Sequence, residues 1–586
     1  MSSSTMIRRL SVMAAATAVA GAVYLHHTPR AEACGCFTPP DPTVPVVQAG
    51  ERIVFGMQGG VVTSHIQIQY KGPAEEFGWL LPLPSEPEPL QLGTDELFAQ
   101  LIAQTQPKYR LDREYVGNCP FDPARNGGGF GGASPTSGDS SQDPNDPGGS
   151  PLVLQASVGP FDYAVLKADS KEPMLTWLSD NNFYVPAGTD SAVDPYIRPG
   201  AFFLALKLRK GNEVGDIQPV VVRYRSELPM IPLVLTSVAA DPDMGVMVWV
   251  VGADRAIPRN FNNTQINDAK IDWINAGANY VKVISDAVND AEGGRSFVTE
   301  YAGTSSIMQG ILDYDWRFGD VNELAQQADA VSFVQYLVNY GYGVQSNQPP
   351  TFGVQFSSPL LAILERELPV PAELTADGVE PNDYYTNIGY YLGWYKDQYP
   401  DKFGDLDVTF DPVATAAEID QRIVQPTLDA AKMFKDHSYL TRMFTTLDPS
   451  EMVRDPVFSF NPDLPEVSNV HSGRLIYYCG AWGEYTDPTT TPARLITEDG
   501  WDLSLPNGTS DNPWIDTPMP PSRYTEVLRE EGPPVVVRDR SDEIRKALGD
   551  DGTFGCQAGS AAGGGLAGLG LLGLGLIVAR RRRRRS

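Results

Sequence analysis

Histidine and cysteine are scarce in this chain of 586 residues, with five of each. Two of the histidines, His26 and His27, fall in the leading apolar segment, which leaves His65, His437 and His471 for the body. There is no H-E-x-x-H, no G-x-S-x-G and no G-x-x-x-x-G-K-[ST], so the signatures of zinc peptidases, nucleophile-elbow hydrolases and P-loop enzymes are all missing. Two G-x-G-x-x-G matches, Gly127-Gly129-Gly132 and Gly568-Gly570-Gly573, sit in low-complexity sequence. Neither follows a strand and opens a helix, so both are accidents of composition. Positive charge is also short, at 45 Lys and Arg against 73 Asp and Glu. Residues 1–33 and 580–585 hold nine of the basic side chains and one acid, which leaves 36 basic against 72 acidic in between, a net charge of −36. That balance excludes a nucleic-acid partner, whose capture rests on Lys and Arg neutralising phosphate. Hydrophobic residues make up 42% of the chain, enough for a substantial core and too many for wholesale disorder.

Both ends carry addresses. Arg8 and Arg9 precede an apolar run from Leu10 to Leu25, and Ala31-Glu32-Ala33 supplies a small-residue cleavage site before Cys34. These are the parts of an export signal over residues 1–33, which implies export machinery and a signal peptidase as partners. Ser11 stands where a twin-arginine signal has a bulky apolar residue, so ordinary secretion is expected. Ala31 and Glu32 make a poor lipobox ahead of Cys34. At the other end, residues 561–579 are nineteen uncharged residues with six Leu and seven Gly, followed by Arg580, Arg581, Arg582, Arg583, Arg584 and Arg585. As a helix they would span roughly 28 Å, close to a bilayer core of about 30 Å, with the arginines held on the cytoplasmic side. The glycines weaken that helix, which suits a segment that is recognised and removed.

The body between them reads as α+β with mostly antiparallel sheet, plus one C-terminal transmembrane helix. An N-terminal β-rich part covers 34–122, with Ser64 to Tyr70 alternating so that Ile66, Ile68 and Tyr70 face inward. Thr94-Asp95-Glu96 opens a helix to Gln104. Residues 123–151 are almost wholly Gly, Ser, Pro, Asp and Asn, the composition of a disordered insertion. The main body covers 152–540, with strands expected at 161–167, 201–208, 217–225 and 244–252. Helices are expected at 268–291, at 321–339 with Asp320 as N-cap, at 358–367, and over 414–447 with an interruption at Pro426. Beyond 448 proline and aspartate dominate, and little regular structure is expected. A linker over 541–560 carries Cys556, the span covers 561–579, and the tail 580–586.

Two stretches resemble known families. The tail, with Cys556 five residues before a short Gly/Leu-rich span and a terminal Arg cluster, is similar to the MYXO-CTERM sorting signal of myxobacteria. That resemblance implies a C-terminal sorting protease of the myxosortase kind, and Cys556 as the residue that bears lipid at the cell surface. In the body, Cys34-Gly35-Cys36-Phe37 is followed by Gln48-Ala49-Gly50-Glu51-Arg52-Ile53-Val54-Phe55 and Phe77-Gly78-Trp79-Leu80-Leu81-Pro82-Leu83-Pro84-Ser85. Further on come Glu227-Leu228-Pro229-Met230-Ile231-Pro232-Leu233 and Pro449-Ser450-Glu451-Met452. This cadence resembles the secreted bacterial family called domain of unknown function 2330, over about 34–480. The resemblance implies an envelope or secreted location and brings no activity, cofactor or catalytic residue.

With Cys556 assigned to the tail, Cys34, Cys36, Cys119 and Cys479 remain as disulfide candidates in an oxidising compartment. A Cys34–Cys36 bond would close a very tight ring, so pairs crossing to Cys119 and Cys479 are expected. A metal site on the C-x-C lacks nearby histidine support, so no metal ligand is assigned. His65 lies on the alternate face of a half-buried strand and is expected in solvent. His471 is expected to be an ordinary loop histidine, since the neighbouring Ser472 cannot by itself complete a triad. Asp313, Asp315 and Asp320 lack the glycine and distal glutamate of a calcium loop and read as solvated surface. Trp79, Trp177, Trp316 and Trp482 are either core or carbohydrate platforms, which sequence alone does not separate. No catalytic residue and no cofactor is assigned. The expected function is an exported, membrane-anchored envelope protein with a structural or binding role. The alternative is a secreted hydrolase that follows no recognised motif. A cleft gathering carboxylates with His65 or His471 would favour the hydrolase.

Overall fold

β-branched and aromatic residues set the centre of the molecule. The segment Met244–Gly252 is an almost unbroken apolar run, and from Gly245 onward each of its residues is buried. Only a strand covered on both faces reads this way. The computed structural model describes residues 50–549 except 69–77, 118–139, 142–151, 182–188, 210–216, 292–294, 349–350, 480–486 and positions 239, 315, 407 and 488. Its fold is α+β, organised on a ten-stranded sheet that contains this strand.

The sheet comprises β1 (Glu51–Gln58), β2 (Val61–Ile68), β4 (Gln91–Leu92), β10 (Val220–Arg225), β11 (Met244–Gly252), β13 (Asn262–Ile266), β14 (Ser296–Thr304), β17 (Tyr439–Leu447), β22 (Ser522–Val527) and β23 (Val535–Asp539). Across it the order is β23-β22-β13-β14-β17-β11-β1-β2-β10-β4. The pairs β1–β11 and β13–β14 are parallel, and the remaining pairs of this sheet are antiparallel. The N-terminal hairpin therefore sits in the middle of the sheet, between strands supplied from residues 220 onward.

Each face of the sheet has its own cover. One face packs on a five-stranded sheet in the order β3-β9-β8-β7-β6, formed by β3 (Gly78–Leu83), β6 (Ser140–Ser141), β7 (Leu152–Val158), β8 (Phe161–Lys167) and β9 (Phe202–Leu208). Ile53, Phe55, Val62, Ile66, Val222 and Val248 meet Phe161, Val165, Leu204 and Leu206 there. Each such side chain contributes about 1.5–3 kcal/mol when fully buried. The other face carries α1 (Asp95–Thr105), α2 (Tyr280–Asp290) and α5 (Gln425–Asp436). With them packs a four-stranded sheet, β21-β20-β19-β5, built from β5 (Lys108–Val116), β19 (Val470–Tyr478), β20 (Ala493–Ile496) and β21 (Asp502–Leu505).

Two small ladders complete the strands, β12 (Arg255–Pro258) with β18 (Phe458–Asn461) and β15 (Gly343–Gln348) with β16 (Thr351–Phe356). Between β14 and β17 the chain makes a mainly helical unit that includes α3 (Ala330–Asn339) and α4 (Ser358–Glu367). It has its own core, in which Phe333, Leu337, Leu360, Leu364, Tyr384 and Ile419 are fully buried.

Several expectations need correction. The apolar stripe of 268–291 is real, but the helix starts only at Tyr280. Before it come two 3₁₀ turns, and Ala276 and Gly277 take positive φ of 53° and 80°, which no continuous helix accommodates. The helix expected over 321–339 is split. Asp320 caps only Val321–Leu324, and Asp329 then caps α3 by accepting from the Ser332 N–H at 2.9 Å. The helix expected to reach 447 ends at Asp436, and 439–447 is the central strand β17. Beyond 448 the chain supplies six strands, where little regular structure was expected. The apolar tail 561–579 lies outside the described residues. Among the described residues no helix is long and apolar enough to cross a membrane.

Candidate functional site

Alternation along β1 and β2 decides what each face of the sheet receives. Glu51, Ile53 and Phe55 share one side of β1 with Ser64 and Ile66 of β2, while Val54 joins the core on the helix side. The first group lines a cleft of about 260 Å³ at the edge of the packing between the two large sheets. The end of β3 (Leu81 to Pro84), Tyr224 of β10 and the segment from Ser226 to Pro232 close it, with Arg198 exposed beside them. Its lining is mostly apolar, with Glu51, Ser64, Arg198, Tyr224 and Ser226 as the polar members.

Glu51 is the unusual member. Part of the residue meets solvent, yet its Oε2 is fully covered and has no hydrogen-bond partner among the described residues. Burial pushes its carboxyl up to about 7. Tyr224 is raised to about 12 by burial, with the Ser64 hydroxyl pulling the other way. The cleft thus holds a carboxyl poised between its two forms and a phenol that stays protonated.

Polar groups on the opposite face serve the fold. Arg52 donates to Gln67 Oε1 at 3.0 Å, and Gln67 donates to Asp95 Oδ1 at 2.6 Å, which ties β1 and β2 to the start of α1. Burial raises Asp95 to about 6, against the pull of Gln67 and Arg52. His65, expected in solvent, is buried here instead, because α-helices cover the face that the strand pattern left open. Burial lowers it to about 4, partly offset by Asp429, so it is neutral at physiological pH. Deeper in, Arg442 pairs with Glu300 at 2.5 Å, and Tyr280 donates to the other oxygen of Glu300 at 2.6 Å. Both ion-pair partners are fully buried and sit in the core between sheet and helices.

His471 is in neither cluster and is not a loop residue. It lies on β19, stacks on Tyr109 with ring centroids 4.9 Å apart, and places Nδ1 2.6 Å from Glu498 Oε2. Nearby, Asp268 accepts from the Thr497 hydroxyl and from the Asp499 N–H, and burial, reinforced by Asp499, raises it to about 8. Ser472 follows His471 on the strand and so projects from the opposite face, which leaves no serine–histidine pair there.

The remaining candidates fall in place simply. Asp313 pairs with Lys435 and Asp320 caps a helix turn, while Asp315 lies outside the described residues. Among the described residues no group of three or more His, Cys, Asp or Glu is arranged to hold a metal ion. Trp79 and Trp177 pack against core clusters, Trp316 is 63% exposed beside Tyr314, and Trp482 lies outside the described residues. A further exposed aromatic stack, Tyr390 on Trp394 at 5.1 Å, escaped sequence reading because its helical spacing looks like core. Cys479 follows the last residue of β19, and its N–H donates to Val116 O at 3.0 Å. Cys34, Cys36, Cys119 and Cys556, together with Arg580 to Arg585, lie outside the described residues.

A family model described as an uncharacterized protein conserved in bacteria, domain of unknown function 2330, matches residues 28–325, just over half the chain. No curated protein and no solved structure matches.

Proposed function

We propose that this chain, which belongs to the domain of unknown function 2330 family, is an exported envelope protein that binds a small, mainly apolar guest. One observation carries the reading. The sheet places Glu51, Ser64 and Tyr224 in an open cleft, and keeps His65 and Asp95 on its other face. The lining is mainly apolar, and Glu51 is its one carboxyl, with neither a histidine nor a second acid lining the cleft to form an acid–base pair with it. Apolar walls with a few convergent polar groups are the usual make-up of such a site.

The ends of the chain support the location. The A-x-A site before Cys34 implies a cleaved signal, and the Gly-rich span 561–579 with six arginines behind it implies anchoring or sorting through Cys556. Together they present the acidic body outside the cytoplasmic membrane, in contact with the export machinery, the membrane and a sorting protease. Protease shaving of intact cells, combined with thermal-shift screening of the purified protein against small aliphatic compounds, tests both halves. The reading expects a surface-accessible body and stabilisation by apolar ligands. Turnover of peptide, ester or glycan substrates that is lost in His471→Ala would favour the hydrolase instead, through the His471–Glu498 pair.

A further inference from the structure

The ten-stranded sheet ends in an apolar strand that the fold leaves bare. β23 stands last in the strand order, pairs with β22 on one side, and meets no strand on the other among the described residues. Its Val535, Val536 and Val537 are 37%, 48% and 54% exposed. Neighbours on a strand point to opposite faces, so the exposure of both Val535 and Val536 means that neither face of β23 is covered there. Three consecutive bare valines mark a contact surface rather than a solvated edge.

The edge itself is built against taking another strand. Pro533 and Pro534 precede it. Val536 lies opposite Glu526 and Arg538 opposite Thr525, which leaves Val537 as the extra residue of a bulge that twists the ladder. Arg538 and Asp539 then put charge at the end of the strand. Prolines, bulges and charges are the usual means of keeping a second strand off an open edge. The occupant therefore takes the side chains and leaves the backbone to water.

We propose that β23 and the helix Ser541–Ala547 after it rest on the lipid surface of the membrane that holds the tail, with the valines among the headgroups and Arg538, Arg545 and Lys546 toward lipid phosphates. This rests on the reading of the tail as an anchor, and it says how the anchored body is turned. Chain length is the first support. The described residues end at Gly549, and eleven residues, 550–560, separate them from the apolar run that starts at 561. A chain of that length reaches at most about 40 Å. Cys556 is nearer still, so the strand is brought to the membrane whether the tail stays or is cut there. A tether this short supplies a high local concentration, and a small apolar patch then suffices.

Charge is the second support. From Val535 to Gly549 there are four basic side chains, Arg538, Arg540, Arg545 and Lys546, against the acids Asp539, Asp542 and Glu543, which is +1 in a body at −36. An acidic body held beside an anionic bilayer turns its least acidic end toward it. Arg540 is taken by Asp290 and Glu543, whereas Lys546 is exposed and joins no ion pair among the described residues. The depth follows from the backbone. An open strand edge still needs hydrogen-bond partners, which hydrocarbon does not offer, so β23 stays at the hydrated level of the headgroups.

The test is photocrosslinking of the full-length protein, reconstituted into phosphatidylethanolamine vesicles with a quarter phosphatidylglycerol and floated on a density gradient. Val536→p-benzoylphenylalanine is the main variant, with the same substitution at Val537 so that one poorly folded protein does not decide the result. Val413, 63% exposed on the helical unit, is the reference position. Phospholipid adducts are expected at Val536 and Val537 several-fold more often than at Val413. Lys546→Gln is expected to lower their yield by up to about fivefold, the worth of one basic side chain at an anionic surface. Equal lipid labelling at all three positions, or none at the two valines in protein that floats, overturns the docking and leaves the anchor standing. A cross-linked pair of chains in place of lipid assigns the strand to a second copy and overturns it as well. Protein that does not float with the vesicles removes the anchor and this inference together.

Discussion

The uncompensated carboxyl of Glu51 has a stability signature that needs no ligand. Its ordinary value of 4.5 is raised to about 7 by burial. Below pH 4.5 the folded and unfolded chains both hold the proton, and the residue is neutral toward stability. Between 4.5 and 7 the folded state keeps a proton that the unfolded chain has released, so stability falls as pH rises. Above 7 the whole penalty is present, at most about 3 kcal/mol for a shift of this size. Because part of Glu51 meets solvent, about 2–3 kcal/mol is the expected figure. Glu51→Gln removes the ionisation and keeps the shape. It should therefore stabilise the protein by that amount at pH 8, with the gain shrinking below about 1 kcal/mol at pH 5. Urea titrations at the two pH values measure it, as a shift in midpoint at unchanged slope. Equal gains at both pH values would mean that packing, not charge, is responsible. A loss of stability at pH 8 would show that the carboxylate has a partner, and the reasoning would fail. Stabilisation on removing a group is also what a site held ready for a ligand should show.

Other outcomes follow from particular contacts. Glu300→Gln leaves Arg442 charged and uncompensated in the core, and should cost about 3–5 kcal/mol in the same denaturation assay. Thr94→Ala removes the hydroxyl that accepts the Glu96 N–H at the start of α1, with an expected loss of about 1 kcal/mol. The parallel register sets Val116, three residues before Cys119 in the sequence, against Tyr478, the neighbour of Cys479, so non-reducing peptide mapping of the exported protein should recover the two cysteines joined. Two freely alkylated thiols would reject that pairing. Intact-mass analysis of the surface form should end near Cys556, whereas a mass that still includes Arg580 to Ser586 would mean a plain anchor.

The sequence by itself determined the class of fold, the family and the elements whose signal is local. Strands at 161–167 and 244–252 and the helix at 358–367 appear where periodicity put them, because alternation and helical spacing are written within ten residues. Thr94 was readable as a cap for the same reason. Only the tertiary structure decided the rest. Two successive positive-φ residues, Ala276 and Gly277, break a helix whose apolar stripe continues without a gap. The segment 439–447 becomes a strand because β11 and β14 stand on either side to receive it. His65 is buried because helices from residues 95 and 425 onward cover a face that β2 alone could not know was covered. His471 meets Glu498 through the turn that joins β20 to β21. The cleft needs most of all from outside its own sequence. Glu51 is one acid among 73 until the pairings of β1 with β11 and of β2 with β10, and the sheet laid over them, remove its water and leave its oxygen without a donor. Desolvation is a property of what surrounds a group, and here the surroundings come from the end of β3, from residues near 198 and 228, and from Val457.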